Sequence, residues 1–124
     1  EKEKTMGYYS EVALCLSGNG RARLDAAMHE ARQHATNPGD IELFLQNGLR
    51  QDAPDSEGVL YYWEGVKWYA DFEEVRFITD VMDELDVDDY LFLRIGEDVD
   101  DAEILGGWWD NPFDARLFRT IDFG

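Results

Sequence analysis

Four of the five carboxylates in EDVDDAE (97–103), Asp98, Asp100, Asp101 and Glu103, could gather around a cation. Loops rich in carboxylate oxygen hold hard cations such as Ca²⁺ or Mg²⁺. This one lacks the central glycine and the terminal Glu spacing of an EF-hand. At most weak, adventitious cation binding is expected, and no metal site or cofactor is assigned. A paired-carboxylate hydrolase would need two acids at a set separation across a cleft. In a chain with 28 acids, closeness in sequence says nothing about that. His29 and His34 are the only histidines, and five residues apart they do not share a helix face. No cysteine pair joins them as zinc ligands. Cys15 stands alone among Val12, Ala13, Leu14 and Leu16, so it reads as a buried small hydrophobe, not a reactive thiol. Ser10, Ser17 and Ser56 lie in no nucleophile-elbow context. SGNG (17–20) lacks both the spacing and the lysine of phosphate-binding loops. The chain is therefore expected not to be an enzyme.

Charge is the stronger signal. The net charge is −17, from 28 acids and 11 bases. Such a field repels nucleic acid and anionic membranes and attracts basic protein surfaces. From Asp71 to Glu103, fourteen acids stand against two bases, Arg76 and Arg94. A block of this kind lowers stability by self-repulsion, and a merely solvated surface would spread its acids more evenly. The expectation is a partner-binding surface of Asp83, Glu84, Asp86, Asp88, Asp89, Glu97, Asp98, Asp100 and Asp101. It would meet Arg and Lys side chains on a protein that normally grips nucleic acid. Trp108 or Trp109, beside Gly106-Gly107, is a candidate aromatic anchor. The plainer alternatives are a solvated acidic face and tryptophans that simply pack on the sheet.

No apolar run approaches the ~20 residues of a spanning helix. EKEKTMGYYS has no apolar signal segment, so Glu1–Thr5 reads as an appended, disordered tail before a start at Met6. The lone cysteine permits no intrachain disulfide, which fits a reducing, cytoplasmic setting.

The elements that must carry these residues follow from periodicity. YYSEVALCLS (8–17) alternates as a strand, and SGNG turns the chain and offers a helix cap. Leu24, Ala27, Met28, Ala31 and Ala35 then make one helix face, which Asn37-Pro38-Gly39 ends. DIELFLQNGLRQDA (40–53) is ambiguous; a short helix capped by Asp40, then a strand from about Leu49, is favoured. VLYYWEGVKWY (59–69) is an aromatic strand with a bulge at Gly65. Asp71 and Glu74 match the D-x-x-E cap of a second helix, whose apolar face is Phe72, Val75, Ile78, Met82 and Leu85. DVDD (86–89) turns into a strand, YLFLRIG (90–96). EDVDDAEILGG reads as a loop or short helix, and ARLFRTIDF (115–123) as a last strand.

Residues 6–124 thus form a single α+β domain. The order predicts a ferredoxin-like sandwich, an antiparallel sheet with two helices on one face and an extra C-terminal strand. Leu14, Leu60 and Leu93 are expected beneath the helices. Tyr9, Tyr61, Trp63, Tyr90 and Phe92 would form the other face. Such a face resembles the stacking platforms of RNA-binding domains, but those work beside basic grooves, so direct nucleic-acid binding is not expected. Too apolar for water, it should be covered by the segment after Gly106 or by a second copy in a homodimer. A self-associating structural or assembly protein is accordingly the second functional reading. A divalent-metal-dependent hydrolase using residues 98–103 is the third.

The stretches MGYYSEVAL (6–14), YYWEGVKWY (61–69) and FLRIGEDVDD (92–101) resemble small acidic phage- and prophage-encoded proteins with an opening GYYS, a central KWY and a late RIGED. The resemblance covers Met6 to about Asp101 and brings no catalytic residues. It implies a protein of mobile-element origin in the host cytosol. By analogy of class, it also implies an inhibitor occupying the nucleic-acid site of a host defence protein, of anti-CRISPR or anti-restriction type.

Overall fold

Alternation in SEVALCL sends Val12, Leu14 and Leu16 to one side and Ala13 and Cys15 to the other. In the computed structural model, which describes residues 7–117, this segment is the central strand β1 (Ser10–Leu16). Ser17 caps helix α1 (Gly18–His34), its hydroxyl accepting the Gly20 N–H at 3.2 Å. Helix α2 (Pro38–Asn47) and strand β2 (Leu49–Asp52) follow, so the ambiguous 40–53 stretch is a helix and then a strand. The cap position of α2 is Asn37, with Pro38 in the first turn, and Asp40 lies inside the helix. Strand β3 (Val59–Val66) leads to helix α3 (Glu73–Asp83). A 3₁₀ turn at Val87–Asp89 opens strand β4 (Tyr90–Ile95), and β5 (Ala102–Gly106) is last. The fold is mixed α and β: three helices and a five-stranded antiparallel sheet of order β2-β3-β1-β4-β5. Among the described residues no helix is long and apolar enough to cross a membrane.

The expected bulge is present. Ser10 pairs with Val66 and Val12 with Trp63, so β3 carries the extra residue beside Gly65. The expected capping box is not. Phe72 occupies the cap position of α3 without a side-chain bond. The Glu73 carboxylate instead accepts the backbone N–H groups of Thr36 and Asn37, both at 3.0 Å. It ties the first turn of α3 to the α1–α2 junction.

Register corrects the assignment of faces. Leu14 is opposite Tyr61 on one side and Phe92 on the other, whereas Ala13 is opposite Leu93 and Cys15 is opposite Leu60 and Leu91. Directly paired residues share a face. The aromatic residues Tyr61, Trp63 and Phe92 therefore lie with Val12, Leu14 and Leu16, packed with Leu24 of α1, Phe44 of α2 and Ile78, Val81 and Met82 of α3. Phe44 stacks on Trp63 at 4.5 Å, and the Trp63 indole N–H donates to the Phe44 carbonyl at 2.9 Å. Leu60, Leu91 and Leu93 are on the opposite face with Cys15, against Trp108, Phe113, Ala115 and Leu117. The segment after Gly106 thus covers an aliphatic face, not an aromatic one.

Two further expectations change. The stretch read as a loop or short helix contains β5 as the fifth strand. Of the predicted strand 115–123, residues 115–117 lie in no strand and the remainder falls outside the described residues, as does the 1–5 tail.

Candidate functional site

β4 rises about 3.3 Å per residue, so its two ends lie about 17 Å apart. The nine acids proposed for partner contact divide between those ends and do not form one patch. At the first end α3 stops and the 3₁₀ turn begins. Asp83, Asp86 and Asp88 are exposed there, and their carboxylates make no hydrogen bond or ion pair among the described residues. The Tyr90 phenol is pushed above its ordinary pKa by burial and then by the Asp83 charge. Glu84 and Asp89 at this end are engaged. Glu84 is paired to Arg23, whose Nε lies 2.7 Å away. Asp89 accepts the Ser17 hydroxyl at 2.8 Å.

At the other end the acids serve a network. Arg94 donates to both Asp101 oxygens at 2.6 and 3.1 Å, to Glu103 at 3.0 Å and to the buried Ser10 hydroxyl at 3.0 Å. Its guanidinium is held further toward the charged form, foremost by the Asp101 hydrogen bond. The Tyr8 hydroxyl donates to Asp101 at 2.8 Å and accepts the Asp98 N–H at 2.8 Å. Desolvation is the main reason that phenol lies above its usual range. Glu97 accepts the Tyr9 N–H at 2.6 Å, the Tyr69 hydroxyl accepts the Tyr8 N–H at 2.6 Å, and Lys67 stands over the Tyr9 ring. Segments more than eighty residues apart, GYYS and RIGED, are thereby knotted to KWY. Only Gly96 allows this closeness, since a Cβ there would lie 2.1 Å from Asp101 Oδ2 and 2.5 Å from Tyr8 Oη. Sequence spacing gave no hint of this knot. Asp100 stays exposed with no side-chain bond among the described residues, while Asp98 is exposed and engaged.

The two tryptophans separate. Trp108 packs edge-on to Phe113 over the aliphatic face, whereas Trp109 is 57% exposed. Buried Asn111 shapes this loop. Its amide donates to the Trp108 carbonyl at 3.0 Å, and its oxygen accepts the N–H groups of Phe113 and Ala115 at 3.1 and 3.0 Å. The Gly107 N–H donates to the Val87 carbonyl at 2.6 Å and that of Trp108 to the Tyr90 carbonyl at 3.1 Å. These bonds place 107–109 beside the first acidic end, where Val87 is 61% exposed.

Among the described residues no group of three or more His, Cys, Asp and Glu side chains is arranged to hold a metal ion. Cys15 is fully buried, and burial pushes its thiol up to about 12. A groove of about 310 Å³ opens on the aliphatic face, with Ala13, Leu60 and Leu93 among its lining and Glu11, Tyr62 and Arg116 at its polar rim. The Tyr62 hydroxyl donates to Glu11, and burial together with that carboxylate pushes the phenol up to about 12. No family model matches the chain, no curated protein matches its sequence, and no solved structure matches its fold.

Proposed function

We propose that this is a non-enzymatic acidic binding protein that engages a basic surface on a host protein through the α3–β4 end of the sheet. One observation carries the reading. Asp83, Asp86 and Asp88 are exposed carboxylates without internal partners, beside exposed Val87 and the loop that presents Trp109. Unpaired charge around an exposed aromatic is the arrangement that steers encounter and then anchors it. The acids of the β4–β5 end contribute mainly to the knot and to the overall field. The charge favours a partner with a basic, nucleic-acid-gripping surface, and the resemblance to small acidic phage-encoded proteins narrows this proposal to a host defence protein of CRISPR or restriction type, met in the host cytosol. The frame is a ferredoxin-like sandwich extended by β5. The β2-β3-β1-β4 order supports this, as does the packing of all three helices against the aromatic side of the sheet.

The test reverses Asp83, Asp86 and Asp88 to Lys and, as a control, Asp25, Glu30 and Asp55 to Lys. Capture from host lysate at low salt should yield a nucleic-acid-binding protein, retained by wild type and control and lost by the first variant. Exposed charges alter stability by only ~0–1 kcal/mol each, so unfolding would not explain the loss. Release should follow rising salt, as the Debye length shrinks from ~10 Å at 0.1 M to ~3 Å at 1 M. Equal loss in both variants would reduce the effect to net charge and refute a specific surface.

A further inference from the structure

Among the described residues the sheet ends in two open edges, and they differ in charge. β5 runs between the two acidic ends. β2 carries LRQD, all four residues exposed, with Arg50 and Asp52 on one face opposite Tyr61 and Val59. The Ala53 N–H donates to the Gly58 carbonyl at 2.9 Å, so the backbone groups of Ala53 and, two residues back, Gln51 point toward β3. Those of Arg50 and Asp52 point to the open edge. We propose that this edge pairs with the same edge of a second copy, antiparallel, about a two-fold axis through Gln51.

In that register Arg50 lies opposite Asp52 of the second copy, and Asp52 opposite its Arg50. Both are narrow pairs that exchange two backbone hydrogen bonds each, and both put opposite charges side by side. The sequence Arg-Gln-Asp is self-complementary under this operation, which is the argument for a second copy over another protein. Arg50 and Asp52 are within 3.2 Å of each other in the single chain, with side chains 45% and 59% exposed. Asp52 also lies 3.6 Å from Arg21, and Arg50 stands over the Tyr61 ring at 5.7 Å, so pairing with the neighbour exchanges exposed contacts within the chain for equivalent ones across the edge. Leu49, 64% exposed on β2, would be drawn into the contact. Four residues is a short edge, and closed two-fold pairing consumes it without leading to a fibre. The interface is small, so the dimer is reversible and forms in the micromolar range or above.

Sedimentation equilibrium of the full chain at 0.15 M salt tests this. The mass should climb from 14.3 kDa toward twice that value as concentration rises. Arg50→Asp and Asp52→Arg should each stay at the single-chain mass, one edge all acidic and the other all basic. Mixed in equal amounts, they should regain the dimer, because only pairing between unlike chains restores the match. Arg50→Pro, which removes an N–H directed outward and none from the β2–β3 ladder, should also stay single. The proposal is overturned if wild type keeps the single-chain mass throughout, if either charge variant dimerises as wild type does, or if the mixture fails to.

Discussion

Alkaline pH should destabilise the protein through Cys15, and the size of the effect follows from its burial. The thiol is completely inaccessible between β3 and β4, with Leu60 and Leu91 opposite, and desolvation raises its pKa from 9.0 to about 12. A raised pKa keeps the folded thiol neutral while the unfolded one ionises. The contribution is intact below pH 9 and is lost as pH climbs from 9 toward 12. At pH 10 the unfolded thiol is about ten-elevenths ionised, which corresponds to about 1.4 kcal/mol. Urea melts of wild type and Cys15→Ala at pH 8 and pH 10 measure it. The substitution carries its own packing cost of about 1 kcal/mol at both pH values. Other titrating groups, Tyr62 among them, are common to both proteins. The difference between the two chains should therefore shrink or reverse at pH 10, by about 1.4 kcal/mol. An unchanged difference would show that the thiol ionises as easily in the fold as outside it, and would refute the burial argument.

Gly96→Ala should loosen the knot of Tyr8, Asp101 and Arg94 by about 1–3 kcal/mol, and amide exchange should rise at Tyr8, Tyr9 and Asp98; unchanged exchange there would contradict the close approach. Trp108→Ala should lower stability by about 2–3 kcal/mol in denaturant melts, whereas Trp109→Ala should stay within about 0.5 kcal/mol. Equal losses would mean that Trp109 belongs to the packing and is not available to a partner.

Local pattern was enough for much of this protein. Helical spacing from Leu24 to Ala31 and from Val75 to Met82 predicted two buried faces, and all five of Leu24, Met28, Val75, Ile78 and Met82 are buried. Ser17 as a cap, the bulge beside Gly65 and the inert setting of Cys15 also depend on neighbours in the chain, so they were legible. What lay beyond reach depends on partners distant in sequence. Which side of β3 and β4 meets the helices is decided by register, and a shift of one residue exchanges the two faces. Leu60 and Leu93 were therefore misplaced although their strands were recognised. β5 hides within an acid-rich stretch because Arg94 neutralises Glu103 across the strand pair. The acidic run looked continuous from 83 to 101, yet an extended strand holds its ends apart, and the fold ties Asp101 at one end to Tyr8 and Arg94 while leaving the carboxylates of Asp83, Asp86 and Asp88 at the other open to solvent. Charge is written in the sequence. Whether a carboxylate is free to meet a partner depends on which donors the folded chain brings to it, and that is decided only in three dimensions.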